Sequence, residues 1–158
     1  MQKITPFLWF ENQAEEAMNF YTAIFKSSKP GKVSRYGAKV PGKAGQVMTA
    51  TFELFGLEFT ALNGGPHFHF NESVSFLVRC EDQQEVDYYW ENLTADGGTE
   101  SRCGWLKDKF GLSWQIVPNA LPEMLADKDA LKASRVMQAM LAMSKIDINA
   151  LRQARESE

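Results

Sequence analysis

The feature of this sequence that most constrains its fold is a repeat inside the chain. Residues 55–62 and 110–117 align without a gap at a shift of 55 positions, and each stretch begins with Phe-Gly-Leu. Each is predicted to be a turn followed by a short strand, because glycine marks the turn and a mostly apolar run follows it. Pro118 ends the second run, since proline has no backbone N–H for a strand ladder. The chain is therefore predicted to use one structural unit twice.

A second alignment extends the repeat toward the N-terminus of each half. At a shift of 70 positions, residues 4–8 fall on residues 74–78. The two shifts differ because the first half contains about 15 extra residues, which fit in the polar segment 26–45. The pattern predicts two βαβββ modules; the alternative is an α+β chain whose periodicity is similar by coincidence. The same shift matches Glu11 with Glu81, Gln13 with Gln83, Glu15 with Glu85 and Phe20 with Trp90.

The spacing of apolar residues predicts the elements of each module. Asn12 is the expected cap of the first helix, and Gly97 with Gly98 is expected to end the second. In the first module we expect a strand at 4–10, a helix at 12–25, a short strand at 33–36, a loop at 38–45 and a hairpin of strands 46–54 and 57–62. In the second we expect a strand at 73–80, a helix at 81–93 and strands near 100–103 and 112–117.

The modules are expected to occupy residues 1–63 and 72–118, which together form one paired domain. Asn-Gly-Gly-Pro at 63–66 is interpreted as the break between them. Residues 119–158 are predicted to be a helical C-terminal extension with an apolar stripe that contains Met137, Met140 and Met143. A methionine-rich stripe is an adaptable packing surface. It could form a lid or a dimer contact, or it could pack the helix on its own sheet.

Composition limits the function. A chain of 158 residues with 44% hydrophobic content can bury a real core. No apolar run approaches the roughly 20 residues of a membrane span, and the N-terminus lacks the apolar centre of a signal peptide. The net charge of −3 gives no basic field for nucleic acid. Two cysteines are too few for a disulfide scaffold. We therefore expect a cytoplasmic protein that binds neither nucleic acid nor membrane.

A few side chains are candidates for chemistry, although none identifies a catalytic residue. His67 and His69 could both point to one side of a strand, a spacing that metals use, but they follow Gly-Gly-Pro and are interpreted as a surface pair. Cys103 stands near Lys107, whose charge could lower the thiol pKa; a buried, inert cysteine is the alternative. Glu58 is a candidate metal ligand or an ordinary surface charge.

Several groups of residues carry a resemblance to a known family. Over residues 4–118 the chain resembles the PhnB-like group, labelled 3-demethylubiquinone-9 3-methyltransferase, of the vicinal oxygen chelate superfamily. That superfamily includes glyoxalase I, extradiol dioxygenases and bleomycin-resistance proteins. The segments concerned are 6–10 (Pro-Phe-Leu-Trp-Phe), 15–17 (Glu-Glu-Ala), 20–21 (Phe-Tyr), 63–66 (Asn-Gly-Gly-Pro), 103–108 (Cys-Gly-Trp-Leu-Lys-Asp) and 113–118 (Ser-Trp-Gln-Ile-Val-Pro).

The resemblance implies a glyoxalase-like α+β fold in which paired βαβββ modules form cupped sheets around a ligand. It also implies that a divalent metal, where one is present, is held by the first and last strands of each module. The matching positions here are Thr5, Thr60, Ser75 and Gln115. Hydroxyls and an amide are poor ligands for transition metals, so we expect no metal or other cofactor. The implied ligand-binding residues are Thr5, Phe7, Glu58, Thr60, Ser75, Cys103, Trp105 and Gln115.

Three functions follow from this resemblance. The first is binding of a small organic molecule, with or without its conversion; the second is ligand sequestration without chemistry, as in resistance proteins. The third is a divalent-metal-dependent lyase, isomerase or dioxygenase. Ubiquinone methyltransferase activity is not expected, because the chain has no G-x-G-x-x-G turn and no doubly wound strand–helix pattern. The superfamily also implies a homodimer.

Overall fold

The computed structural model describes residues 2–157, and they fall into two compact units that divide between Phe70 and Asn71. Among these residues no helix is long and apolar enough to cross a membrane. The first unit contains β1 (Phe7–Phe10), α1 (Ala14–Ile24), β2 (Ser28–Arg35), β3 (Val47–Leu54) and β4 (Leu57–Asn63). The second contains β5 (Ser75–Cys80), α2 (Gln83–Thr94), β6 (Thr99–Glu100), β7 (Trp105–Lys107), β8 (Ser113–Pro118), α3 (Ala120–Leu125), α4 (Ala130–Ala142) and α5 (Ile148–Glu156).

The predicted repeat is confirmed by the strand order of the two units. Within residues 2–157 each unit has one four-stranded sheet, with orders β1-β4-β3-β2 and β5-β8-β7-β6. In each, the first and last strands of the module pair in parallel: Phe7 lies opposite Thr60, and Leu77 lies opposite Gln115. Phe7 and Leu77 are 70 positions apart, and Thr60 and Gln115 are 55 apart. The pair Phe7–Thr60 and its counterpart at the shifts of 70 and 55 positions, Leu77–Gln115, therefore lie in the same register in the two sheets.

Two predicted strands were misplaced. β2 begins at Ser28, five residues before the predicted 33–36 strand. It is an edge strand with a bulge between Pro30 and Val33, and most of its residues are exposed. Its sequence therefore lacks the alternation of apolar and polar residues by which a half-buried strand is predicted. The strand predicted near 100–103 is instead the end of β6 followed by a turn, because Cys103 adopts a φ of 58° there. A left-handed residue interrupts a strand ladder.

Helix α1 covers one face of the first sheet, as its apolar spacing predicts. Tyr21 is fully buried, and its ring lies 5.6 Å from that of Phe52. The predicted cap was wrong: the side-chain oxygen of Asn63, not that of Asn12, accepts a hydrogen bond from Ala14 N at 2.8 Å. Asn63 Nδ2 also donates to the Val47 carbonyl at 3.1 Å. One amide thus joins the start of α1 to β3 and β4.

Helix α2 occupies the same place in the second unit. It lies within the predicted helix 81–93 apart from its last residue, and it is capped by Asp82, whose side chain accepts from Glu85 N at 2.9 Å. Gly98 follows it, and a Cβ there would lie 2.8 Å from the Lys107 carbonyl. Glycine is required because the backbone after α2 passes directly over β7. The buried residues of α2 are Val86, Tyr89, Trp90 and Leu93.

The described part of the C-terminal extension is helical, as predicted, and forms hydrogen bonds with the βαβββ module of the second unit. Cys103 N donates to Met143 O at 2.9 Å, and Gly104 N donates to Ser144 O at 2.8 Å. The Gln83 amide donates to Ile146 O at 3.0 Å and accepts from Ile148 N at 2.9 Å. The three helices enclose a core of their own, formed by Leu121, Met124, Val136, Ile146 and Leu151.

The segment interpreted as a break between modules is packed against the first sheet. The Trp9 indole donates to the Gly65 carbonyl at 2.9 Å, and Phe68 meets the Trp9 ring edge-on at 4.9 Å. A Cβ on Gly64 would lie 2.2 Å from that ring. Gly64 is therefore needed for close approach between backbone and indole rather than for flexibility.

We predict that Gly64→Ala lowers the free energy of unfolding by about 1–3 kcal/mol, the usual cost of overpacking. Gly37→Ala is the control, because a Cβ there has no neighbour within 4 Å among the described residues. That change should be neutral or stabilise the protein by up to about 1 kcal/mol. Urea unfolding of both variants provides the measurement, and equal effects would contradict the role given to Gly64.

Candidate functional site

Each sheet has a face turned away from the helix of its own unit, and we call it the open face. In the first unit, Leu8, Phe52, Phe59 and Ala61 are buried on the helix side. Successive strand residues alternate between faces, so their neighbours Phe7 and Thr60 belong to the open face. The sequence prediction placed its site residues on this side of the strands.

The open face of the first unit is rich in hydroxyl groups. Thr60 lies between Phe7 on β1 and Thr51 on β3. In the next row, the hydroxyls of Ser34 and Thr49 are 2.6 Å apart. Phe7 is 61% exposed. The face therefore combines a large apolar side chain with half-buried hydroxyls, of which Thr51 already accepts a bond from Lys32 N at 2.8 Å.

Thr5 and Glu58 lie at one end of this face. Thr5 precedes β1, and its hydroxyl is 3.4 Å from the Gln2 amide nitrogen. The same amide donates to Glu58 O and accepts from Glu58 N, both at 2.9 Å. The Glu58 side chain is exposed and lies opposite Glu53, which pairs with Lys29 at 3.6 Å. Glu58 therefore belongs to the rim of the face, beside another carboxylate.

The open face of the second unit brings three predicted residues together. Gln115 lies between Leu77 on β5 and Trp105 on β7. Its Nε2 donates a hydrogen bond to Ser75 Oγ at 2.9 Å. Gln115 Oε1 can still accept, and the Ser75 hydroxyl can still donate. Because Leu77 is 47% exposed, this polar pair stands beside an accessible apolar surface.

Ser113 extends this group and was missed by sequence analysis. It lies between Ser75 and Lys107 in the sheet and shares the face of Gln115. The side chain is 1% exposed, yet within residues 2–157 its oxygen has no hydrogen-bond partner. Buried hydroxyls in native proteins are normally bonded. A serine within a strand gives no sequence signal of this kind, because burial is decided by its neighbours.

An ion pair stands at the end of the same row. The Lys107 ammonium binds the Glu72 carboxylate. That hydrogen bond is the main reason why the pKa of Glu72 lies below its ordinary value. The Lys107 ammonium, which the sequence suggested as an activator of the Cys103 thiol, is therefore paired with Glu72.

Asp108 holds the turn that leads into β8. Its carboxylate is 2% exposed. One oxygen accepts from Phe110 N at 2.9 Å and Leu112 N at 3.1 Å, and the other accepts from the Trp114 indole at 2.9 Å. Three donors compensate for the burial of the charge. Asp108 thus fixes Trp114 on the helix side of β8, which leaves Gln115 on the open face.

Neither cysteine belongs to the row of polar residues on the open face. Cys103 is half-buried in the turn that binds Met143, outside the strands that form the open face. Cys80 is buried, and desolvation raises the pKa of its thiol to about 12. A thiol with that pKa stays protonated at neutral pH and is a poor nucleophile.

The donor set implied by the superfamily does not suit a transition metal. Thr60 and Ser75 offer neutral hydroxyls, and Gln115 directs its amide nitrogen to Ser75. Such metals bind imidazole, thiolate or carboxylate. Among residues 2–157 no three His, Cys, Asp or Glu side chains form a cluster that could hold an ion. His67 and His69 are both exposed, while Phe68 between them packs on Trp9.

Comparison with known proteins gives one family and a set of similar structures. The model of the family described as 3-demethylubiquinone-9 3-methyltransferase matches residues 2–117. The PhnB protein of Bacillus cereus is 42% identical over 74% of this chain and 99% of its own, with a TM-score of 0.67. A comparison with curated proteins finds no match.

More distant structures share the fold alone. A protein from Pseudomonas aeruginosa is 18% identical, with a TM-score of 0.61 over 75% of this chain and 98% of its own. The fosfomycin resistance protein FosX of Mesorhizobium loti is 14% identical, with a TM-score of 0.55 over 80% of this chain and 100% of its own. FosX from Listeria monocytogenes, in a complex with Mn(II) and sulfate, is 16% identical, with a TM-score of 0.54 over 79% of this chain and 97% of its own.

We predict that Asp108→Asn lowers the free energy of unfolding by about 1–3 kcal/mol, because an amide NH₂ would confront backbone or indole donors without an acceptor. Asp96→Asn is the control: Asp96 is exposed with a φ of 56°, a conformation that asparagine tolerates. Chemical unfolding followed by tryptophan fluorescence tests both changes. An Asp108 variant as stable as the control would refute the structural role.

Proposed function

The chain belongs to the family described as 3-demethylubiquinone-9 3-methyltransferase, and from that starting point we propose that it binds a small organic molecule on the open faces of its sheets. It is a PhnB-like member of the vicinal oxygen chelate superfamily. The observation that carries the proposal is the Gln115–Ser75 hydrogen bond beside exposed Leu77. Ligand sites typically combine an apolar lining with a few oriented polar groups.

The chemistry of the face suggests the class of ligand. Leu77 and Trp105 flank Gln115 and offer apolar contact, while Gln115 and Ser75 can exchange hydrogen bonds with one polar substituent. Arg79 is exposed on the same side of β5, so a weakly acidic group is also compatible. A small aromatic molecule with a hydroxyl or carbonyl group satisfies these conditions.

Binding without chemistry is the second candidate function. The side chains at the centre of the faces are Thr60, Ser75 and Gln115, none of which titrates near neutral pH. That composition favours a sequestering protein over an acid–base catalyst. A metal-dependent reaction is less consistent with these donors. The methyltransferase activity in the family description would use a doubly wound sheet with a glycine-rich turn, whereas this chain has two mixed four-stranded sheets among its described residues.

Gln115→Leu should weaken ligand binding, because it keeps a similar volume but removes the hydrogen bonds of the amide. Each neutral hydrogen bond lost costs about 0.5–1.5 kcal/mol of binding free energy. Ser75→Ala removes the partner hydroxyl and should also weaken binding of the ligand. The ligand would first be identified by native mass spectrometry or by a thermal-shift screen of small aromatic molecules, and its affinity then measured by calorimetry.

Gln84→Leu is the matched control, since Gln84 is exposed on α2 and removed from the open face. It should leave affinity unchanged. If the Gln115→Leu and Ser75→Ala proteins bind the ligand as tightly as the Gln84→Leu protein does, the site is assigned to the wrong residues. Turnover of the bound molecule, followed by mass spectrometry of the products, separates an enzyme from a sequestering protein.

We also propose that the protein is a homodimer joined through α4. Leu131, Ser134, Met137, Gln138 and Leu141 are all exposed and fall within about one third of the helix circumference. None of them is charged, whereas α4 carries Lys132 and Arg135 elsewhere. Two copies of an uncharged face can meet about a twofold axis without bringing like charges together, and methionine side chains adapt to the surface that they pack against. The second copy is therefore the occupant that this face favours.

Met137→Glu should dissociate the dimer, because a carboxylate would be desolvated against the same carboxylate of the second copy. Asn149→Glu, at an exposed position of α5, introduces the same charge away from this face and should leave the dimer intact. Light scattering on a size-exclusion column measures both. A monomeric wild type, or dimers of both variants, would contradict the assignment to α4.

A further inference from the structure

The first unit contains a pocket of about 500 Å³ that the proposed ligand site does not use. It lies where β1 and β4 end and α1 begins, and its lining includes Glu11, Asn12, Tyr36, Lys43, Val47 and Pro66. We propose that this pocket is a second binding site, specific for a zwitterionic, amino-acid-like small molecule. The volume lies within the range of small-molecule sites in proteins.

One wall of the pocket is made by the residues that the first module has in excess of the second. The connection from β2 to β3 is closed by Tyr36 N donating to Gln46 O at 2.9 Å and Gly45 N donating to Tyr36 O at 3.0 Å. Gln46 Nε2 donates to Gly42 O at 3.2 Å. In the second module only residues 101–104 join β6 to β7. The longer connection is therefore a hydrogen-bonded loop that forms one wall of the pocket. The short connection between β6 and β7 in the second module has no such wall.

The floor of the pocket is fixed by bonds among the protein's own polar groups. The Tyr36 hydroxyl donates to the Asn63 carbonyl at 2.7 Å. The Asn63 side chain is occupied by Ala14 N and the Val47 carbonyl. Tyr36, Val47 and Asn63 are each half-buried. These bonds hold the lining in place before a ligand enters, which reduces the entropy lost on binding.

The charged groups of the lining give the specificity. Lys43 Nζ lies 5.1 Å from the centroid of the Tyr36 ring, a cation–π distance that restrains the ammonium at the wall. Within residues 2–157 neither Glu11 nor Lys43 has an ion-pair partner. A carboxylate and an ammonium thus remain available in one pocket, for a ligand ammonium and a ligand carboxylate respectively.

The remaining lining accommodates the rest of such a ligand. Val47 and Pro66 present apolar surface for a hydrocarbon side chain. The exposed Asn12 amide can accept a further bond from the ligand ammonium. A molecule with a single charge meets one complementary group and one like group in the same pocket, so it loses part of the attraction. Zwitterions are favoured over simple acids and simple bases for this reason.

The test is a titration of the full ¹⁵N-labelled chain with L-phenylalanine, followed by NMR. We expect saturable shifts of the Tyr36, Gln46 and Asn63 amides. N-acetyl-L-phenylalanine lacks the ammonium, and L-phenylalanine methyl ester lacks the carboxylate. Each should bind ~2- to 5-fold more weakly than L-phenylalanine, the factor that corresponds to one exposed ion pair.

Two variants assign the charges to residues. Glu11→Gln should weaken binding of L-phenylalanine and of the methyl ester by ~2- to 5-fold. It should not weaken binding of N-acetyl-L-phenylalanine, because it removes the like charge that this molecule meets in the pocket. Lys43→Gln should weaken binding of L-phenylalanine and of N-acetyl-L-phenylalanine by the same factor. It should not weaken binding of the methyl ester, because it removes the like charge that the ester meets. Glu15→Gln and Lys39→Gln are the controls, since both residues are near these positions but outside the lining.

The proposal fails if L-phenylalanine causes no saturable shifts, if the three molecules bind alike, or if the shifted amides lie outside the pocket. It also fails if the controls weaken binding as much as Glu11→Gln and Lys43→Gln. Melting temperatures of the variants identify any that do not fold, and Glu11→Ser and Lys43→Met then replace them. Gln115→Leu should leave this binding unchanged, so the outcome is independent of the open-face site.

Discussion

The parallel pairing of first and last strands is the interaction on which the rest of this structure depends. In each unit it places the start of the module beside its end, with Phe7 opposite Thr60 and Leu77 opposite Gln115. A parallel pair requires a crossover connection, and α1 and α2 lie within these connections. Once the helix covers one side of the sheet, the other side is left for polar groups from strands that are distant in sequence.

Much of this architecture could be predicted from the sequence, because the internal repeat allows one half of the chain to be aligned with the other. The two shifts identified equivalent positions in the two modules, such as Thr60 and Gln115. β2 could not be identified in the same way. It lies at the edge of its sheet, where lysine and proline residues prevent unwanted pairing, and its polar composition resembles that of a loop.

The features that sequence analysis missed depend on contacts between distant residues. Asn63 caps α1 from 49 positions away, whereas capping patterns describe only adjacent residues. Asp108 is buried because a turn and an indole, which the sequence does not identify as its neighbours, supply hydrogen-bond donors to its carboxylate. Of the proposed site residues, Ser75 and Gln115 do meet. Cys103 lies in a left-handed turn before β7, and its backbone N–H donates to the Met143 carbonyl.

The hydrogen bonds between Gln83 and the backbone around Ile146 bear on how the chain folds during synthesis. They join positions 63 and 65 residues apart, and further bonds connect the turn at Cys103 to residues 143 and 144. The first unit has all its own strands and its helix by residue 63. It can thus fold on the ribosome while the second unit is still incomplete. Until residues 143–148 have been made, the N–H groups of Cys103 and Gly104 and the Gln83 side-chain amide lack these partners, so the second unit cannot complete its hydrogen bonds before the extension is synthesised.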